Sequence, residues 1–430
     1  MDKEILKKEI FEKVKEYYNL VHKEKSFIPG KDLVNYAGRI FDEKEMVAAV
    51  DSILDFWLTI KDYDKKFNND FSKYLNVKNS LLVNSGSSAN LVAISALCSN
   101  QLKNKLKYGN EVITPAMTFS TTANPIIQNG LVPVFVDSEL ESYNINTDEL
   151  EKALSEKTRA IMIPHVLGIP CKMDVIMEFA RKHNLFVIED TCDALDSKYD
   201  GKYCGTIGDI GTYSFYAAHH IAMGEGGAIV TNNDELYTIT KSLRDWGRFS
   251  DYEEKFLNLD ERFKHKIENL NYDIRYYFVN IGYNLKPLDI QAAIGLEQLK
   301  KLPSFTEARK RNFQILTKEL SKYDELIMPK APEKADTSWF ALPITLNTEK
   351  FTRLELVNFL EQNKIQTRYA FTGNILKQPA YQDIKYRQIG NLKNSNRILR
   401  DSFFIGLYSG INKEKTDYIL EKFDEFISKS

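Results

Sequence analysis

The sequence predicts an α/β protein in which a large domain, built on a mainly parallel sheet, is followed by a smaller α+β domain. Three observations carry this. From about Leu81, short β-branched runs alternate with helical patterns, as βαβ units do. Near Leu299 the pattern changes to a long helix followed by mixed, charged strands and helices. The chain has 430 residues, 43% hydrophobic and 27% charged, enough for two unequal cores. We expect an N-terminal helical arm over 1–48, a large domain over 49–298 and a small domain over 299–430.

The arm, "MDKEILKKEIFEKVKEYYNLVHKE", reads as a charged amphipathic helix with Leu6, Ile10, Val14 and Tyr17 on one face. It lacks the apolar core of a signal peptide, and no later window reaches the roughly 18 apolar residues of a membrane span. A cytoplasmic protein without a membrane partner is expected. Lys+Arg at 58 against Asp+Glu at 60 gives a net charge of -2 with no long basic tract, which argues against nucleic acid. Expected strands are "EVITP" (111–115), "VPVFVD" (132–137), "RAIMIPH" (159–165) and "LFVIED" (185–190). Between the last two, Met173, Ile176, Met177 and Ala180 recur at helical spacing. The helix after Leu299 is expected to be interrupted at Pro303, and Phe249 to Tyr277 reads as a solvated excursion.

Three blocks carry chemistry. "NSGSSAN" (84–90) opens an apolar helix, and free N–H groups beside small hydroxyls make either a phosphate cradle or a structural cap. Asp190 ends a strand where α/β folds bind ligands; it is either a turn residue or the partner of a protonated ring nitrogen in a pyridine-type cofactor. In "SFYAAHHIAMGEGG" (214–227), Ser214 is followed five residues later by His219, and then by Gly224, Gly226 and Gly227. Cradle, acid, serine, reactive position and glycine pair follow the order found in vitamin B6 enzymes.

From about Ala37 to Gly410 the chain resembles the DegT/DnrJ/EryC1 family of sugar aminotransferases and dehydratases. The blocks are "SGSSANL", "TPAMTF", "EDTCDAL", "SFYAAHHIAMGEGG" and "IGYNLKPLDIQAAIGLEQL". The resemblance implies the fold type I architecture of aspartate aminotransferase, with pyridoxal or pyridoxamine 5'-phosphate as cofactor. It implies that Gly86, Ser87, Ser88 and Ser214 bind the phosphate, that Phe119 stacks on the ring and that Asp190 holds its nitrogen. Asp193 and Tyr216 complete the pocket, where aminotransferases of the family often carry other residues. Asn284 is expected to reach the neighbour's cofactor, which implies a homodimer. His220, Arg368 and Asn374 are expected near the substrate, Arg368 as either a diphosphate clamp or a surface ion-pair residue.

Aminotransferases of the family carry the Schiff-base lysine where this chain has His219. Imidazole cannot form that bond but can move protons near neutral pH. The pair "HH" and the blocks "YAGRIFDEKE", "DFWLT" and "LRDWGR" are similar to the branch of nucleotide-linked 4-keto-6-deoxyhexose 3-dehydratases, the CDP-linked one above all. That branch uses pyridoxamine phosphate held without a covalent bond to remove the C3 hydroxyl, en route to the dideoxysugars of lipopolysaccharide O-antigens. Within "LRDWGR", Arg244, Asp245 and Arg248 read as holding the loop.

The CDP-linked branch also carries a [2Fe–2S] cluster on four cysteines. Cys192 matches the first, but no cysteine follows Cys204, and Cys98 and Cys171 lie in other blocks. No cluster is expected. The resemblance then shifts to the GDP-linked dehydratases, in which ammonia is released and L-glutamate resupplies the amine. Two alternatives remain: a sugar aminotransferase using another lysine, although none occurs between Ser214 and Thr231, and a cofactor-binding protein without turnover.

Overall fold

The computed structural model describes residues 2–23, 26–249 and 258–430. Seven strands form the body of the large sheet: β1 (Asn79–Val83), β2 (Glu111–Pro115), β3 (Val132–Val136), β4 (Thr158–Pro164), β5 (Phe186–Asp190), β6 (Ile210–Ser214) and β7 (Gly227–Thr231). Their order is β1-β7-β6-β5-β4-β2-β3, with Arg387–Gln388 added beside β3. Only β7 runs antiparallel to its neighbours; the other pairings are parallel. The expected strands match these within one residue at each end.

Every residue of β2, β3, β6 and β7 is buried, because helices cover both faces of the sheet. Helices α1 (Lys3–Val21), α2 (Glu43–Leu54), α3 (Asp62–Leu75), α4 (Gly86–Leu97), α5 (Ser120–Gln128), α6 (Met173–His183), α7 (Asp234–Arg244) and α8 (Asp289–Leu320) accompany it. On one face Leu81, Ala160, Met162 and Ile188 pack against α4 and α7. On the other, Leu82, Ala228 and Val230 meet α3 and α8, while Ile161, Ile163 and Val187 meet α6. Strand alternation therefore sends Asp190, in phase with Ile188, toward α4, and Glu189 toward α6.

The α8 helix runs unbroken through Pro303. The proline removes only the donor to the carbonyl four residues back, and the buried Leu302 and Phe305 hold the helix on either side. Leu299, Leu302 and Phe305 join the core of the large domain, whereas Leu316 and Leu320 join that of the small one, so the 298/299 division falls inside one helix shared by both. The small domain pairs β8 (Ala341–Leu346), β9 (Thr367–Tyr369) and β10 (Ser402–Gly406) antiparallel, with β10 central.

The arm does two things. The α1 helix lies along α2, with Leu6, Ile10, Val14 and Tyr17 facing Met46, Ala49 and Val50 across an apolar groove. Past residue 33 the chain crosses the small domain, where Val34 bridges Ile365. A Cβ at Gly406 would lie 2.6 Å from the carbonyl oxygens of Asn35 and Tyr36, which is why only glycine allows this crossing. In the expected excursion, 250–257 lie outside the described residues; 258–277 form a short helix and an exposed hairpin, His265–Ile267 with Leu270–Tyr272. No helix among the described residues is long and apolar enough to cross a membrane.

Candidate active site

The carboxyl end of β5 organises the site. Asp190 is 5% exposed. Its Oδ2 accepts hydrogen bonds from Asn90 Nδ2 and Thr122 Oγ1, both at 2.8 Å, and its Oδ1 accepts the Cys192 N–H at 3.2 Å. The Thr212 hydroxyl donates to Asn90 Oδ1 at 2.6 Å, which leaves the amide NH2 to face the carboxylate. On the opposite face Glu189 accepts the N–H groups of Gly205, Ile207 and Gly208 at 2.8, 2.7 and 2.6 Å. It also meets His165 Nε2 at 3.0 Å, and His165 Nδ1 accepts the Cys171 N–H at 3.0 Å, so Nε2 carries the proton. The strand end is thus fixed from both sides.

In front of Asp190 stands the N-terminus of α4. Ser85 caps it: its Oγ accepts the Ser88 N–H at 3.1 Å and donates to Ser88 Oγ at 3.0 Å. Gly86 touches Ser214 and Cys192, and a Cβ on Gly227 would lie 2.4 Å from the Ser85 carbonyl. The two glycines let the chain segments close up here, with the Ser214 and Cys192 side chains packed directly against Gly86. The first N–H groups of this 12-residue helix, at Gly86 and Ser87, and its positive end border the cleft, as an anion requires.

The loop from Phe215 to Gly226 is closed by Phe215 N–H to the Gly226 carbonyl (2.9 Å) and Met223 N–H to the Phe215 carbonyl (2.8 Å). Gly224, at φ +83, makes the turn back into β7. His219 projects into the cleft, edge-on to Tyr216 and Phe340 at ring-centroid distances of 6.0 and 5.4 Å. Burial lowers its pKa to about 4, against the upward pull of the Ser214 backbone and the Asp190 charge. The imidazole is neutral at pH 7, and its Nδ1 makes no hydrogen bond among the described residues. Burial, reinforced by Asp190, raises the Asp193 carboxyl to about 8.

The cleft encloses about 440 Å³ and is lined by Gly86, Ser87, Phe119, Asp190, Asp193, Ser214, Tyr216, His219 and Arg368. These are nine of the sites expected from sequence. Four others lie outside its lining. Ser88 is used in the helix cap. His220 points away and bonds the Ser338 carbonyl. Asn374 is buried, with Nδ2 on Asn396 Oδ1 at 2.8 Å and Oδ1 accepting the Leu376 N–H at 3.1 Å, so both ends of its amide serve the fold. Asn284 bridges Asp245 and accepts from Lys286. Arg244 holds its loop, bonding Asp245 and the Leu82 carbonyl.

The sequence reading missed Asn90, Thr122, His165 and Tyr36. Asn90 follows Gly86 by one helical turn, a spacing that places both on one face of α4. Tyr36 had no signal, because it comes from the arm; its ring carries the Arg368 guanidinium at 4.1 Å.

The profile of the DegT/DnrJ/EryC1/StrS aminotransferase family matches residues 41–424. The chain is 44% identical over 427 residues to the lipopolysaccharide biosynthesis protein RfbH of Salmonella typhimurium, covering 98% of each. It is 43% identical over 418 residues to the dTDP-4-dehydro-2,6-dideoxy-D-glucose 3-dehydratase of Saccharopolyspora spinosa, covering 96% of this chain and 90% of that one. Among solved structures, the Escherichia coli GDP-4-keto-6-deoxy-D-mannose-3-dehydratase with bound hydrated PLP superposes with a TM-score of 0.84 at 30% identity, covering 91% of this chain and 99% of that one.

Proposed function

This chain belongs to the DegT/DnrJ/EryC1/StrS aminotransferase family, and from that premise we propose that it is a 3-dehydratase of a nucleotide-linked 4-keto-6-deoxyhexose. The cofactor is pyridoxamine 5'-phosphate, renewed from pyridoxal 5'-phosphate with L-glutamate as amine donor. One observation carries the reading: His219 occupies the reactive position, and among the described residues no lysine lines the cleft.

The residues present fit the cofactor. The cleft wall formed by Ser85, Gly86, Ser87 and Ser214 at the N-terminus of α4 suits its phosphate, Asp190 suits a ring nitrogen, and the 52% exposed Phe119 offers a flat face for the ring. When bound, pyridoxamine phosphate supplies an amine for the C4 ketone and an electron sink for the carbon that loses its proton. Asp190, held by Asn90, Thr122 and the Cys192 N–H, keeps the ring nitrogen protonated. His219 is the base, since it is neutral and its Nδ1 has no hydrogen-bond partner among the described residues. The same imidazole returns that proton to the oxygen leaving C3. Lysine there would also hold the cofactor covalently and favour an amino sugar.

The reading needs no iron–sulfur cluster. Cys192 lines the cleft, Cys171 and Cys204 are buried in the core against α6, and Cys98 follows the end of α4. Asn284, outside its own cleft, is assigned to the cofactor of a second copy in a homodimer. The test is to incubate the protein with pyridoxamine phosphate, glutamate and CDP-, GDP- or dTDP-linked 4-keto-6-deoxyhexoses, without a reductase, and to analyse sugar and ammonia. A 3-deoxy product with ammonia release supports the proposal and identifies the base; an amino sugar, or no product with any nucleotide, rejects it.

A further inference from the structure

The cleft accounts for His219 but not for the histidine beside it. His220 is 3% exposed, and its Nε2 stands 2.8 Å from the Ser338 carbonyl oxygen. A carbonyl only accepts, so Nε2 bears the proton. Burial and the nearby Arg309 charge press its pKa well below the ordinary value, which keeps the ring neutral with that single donor.

Ser338 leads into β8 of the small domain and is pinned from behind. Its N–H donates to Ser197 Oγ at 2.8 Å, and Ser197 Oγ donates to the Gly168 carbonyl at 2.7 Å. Gly168, at φ +92, passes so near that a Cβ would lie 2.4 Å from the Ser338 oxygen. The next two residues are fixed by Arg309, whose Nη1 donates to the carbonyls of Trp339 at 3.1 Å and Phe340 at 2.7 Å. The Phe340 ring then lies 5.4 Å from His219 and 6.1 Å from His220, centroid to centroid.

We propose that His220 is a positioning residue: its Nε2–H latches the loop carrying His219 to Ser338 and so fixes where the His219 imidazole faces. The inference rests on reading His219 as the base. His219 and His220 share a peptide bond, so movement at one is passed to the other. With its Nδ1 unbonded among the described residues, the His219 ring takes its direction from its packing, from the Ser214 and Cys192 backbone it meets, and from the loop backbone that His220 anchors.

The test uses His220→Phe, which keeps a ring and loses the donor, and His220→Gln, which keeps an N–H. Ser197→Ala loosens Ser338 from the far side without touching either histidine. Hydrogen exchange of peptides spanning 215–226, pyridoxamine phosphate affinity by fluorescence, and kcat and KM on a sugar accepted by the wild type are measured. His220→Phe is expected to lower kcat about 10²-fold, as small misplacements of a reacting group do, with KM and cofactor affinity within about twofold. Loop exchange quickens, His220→Gln restores most of both, and Ser197→Ala gives a smaller loss in the same direction. Unchanged exchange and kcat in His220→Phe overturn the latch, as does a rise in KM at constant kcat, which would make His220 a substrate contact. If His220→Phe fails to fold, Ser197→Ala decides by the same measures. If the wild type dehydrates no sugar, the proposed function has failed, and loop exchange alone still decides the latch.

Discussion

Gly86 and Ser214 approach so closely that a Cβ on the glycine would lie 2.5 Å from the serine Cβ, and 2.8 Å from Cys192 Sγ. The first residue of α4 and the last of β6 thus share a space with room for hydrogen only. That contact brings the N-terminus of α4 up to the strand ends, where its unpaired N–H groups meet the cleft that Asp190 and His219 enter.

Gly86→Ala therefore disturbs the anion site first. The added methyl cannot be absorbed by a flexible side-chain end, because the atom it meets is a Cβ. Overpacking of this kind costs about 1–3 kcal/mol. Expected are a lower melting temperature and an affinity for pyridoxamine phosphate weakened about tenfold or more, read by thermal denaturation and fluorescence titration. An alanine variant that binds the cofactor like the wild type would remove α4 from the phosphate site.

His219→Asn retains a polar side chain but cannot take a proton. Dehydration is expected to fall about 10²- to 10⁴-fold, the usual range for loss of a general base, while the cofactor still binds. His219→Lys restores an amine at the same place and is expected to fix pyridoxal phosphate covalently on borohydride reduction. Mass spectrometry of the reduced protein reads this directly, and no adduct in His219→Lys means that position 219 does not face the cofactor.

Much of the site was legible because buried parallel strands read as continuous apolar runs, so the ends of β2 to β5, and with them Asp190, could be placed from sequence. The register from Ser214 to His219 was legible through the family resemblance, in which the Schiff-base lysine stands five residues after the serine. Tyr36 was not: it reaches the cleft because the arm crosses the small domain, a contact between residues more than 300 apart. Asn374 shows the opposite limit, as its amide suits a substrate on paper but is consumed by Asn396 and the Leu376 N–H. Pro303 shows a third: a local breaker was outweighed by two cores packed on one helix.

Asp193 gives the apo protein a pH dependence of definite sign. Its folded pKa, about 8, lies above the model-peptide value of 3.8. From about pH 4 upward the unfolded chain releases this proton while the folded protein keeps it, so this group lowers stability as pH rises toward 8. His219, with a folded pKa of about 4 against 6.5, acts oppositely: its contribution is lost as pH falls from 6.5 toward 4. Asp193→Asn removes the first effect alone. The variant is expected to melt a few degrees above the wild type at pH 8 and together with it at pH 4. Parallel curves across that range would mean that Asp193 titrates as an ordinary exposed carboxylate.

Arg368 is the one arginine or lysine lining the cleft among the described residues, and the proposed function assigns it to the two phosphates of the nucleotide sugar. The guanidinium is held in two ways: its Nη1 donates to the Thr367 carbonyl at 2.6 Å, and its plane lies 4.1 Å from the centre of the Tyr36 ring. Tyr36 precedes the 41–424 span matched by the family profile, so this contact is a feature of the arm. Loss of a cation–π contact worth about 0.5–2 kcal/mol corresponds to roughly a two- to thirtyfold change. Tyr36→Leu is accordingly expected to raise KM for the nucleotide sugar by that factor with kcat nearly unchanged, as for a contact that holds substrate and transition state alike. Tyr36→Phe keeps the aromatic face and should behave like the wild type, and Arg368→Ala should exceed Tyr36→Leu in the same direction. Steady-state kinetics on the three variants separate the cases: equal KM values in Tyr36→Leu and the wild type would reduce the stacked pair to surface packing.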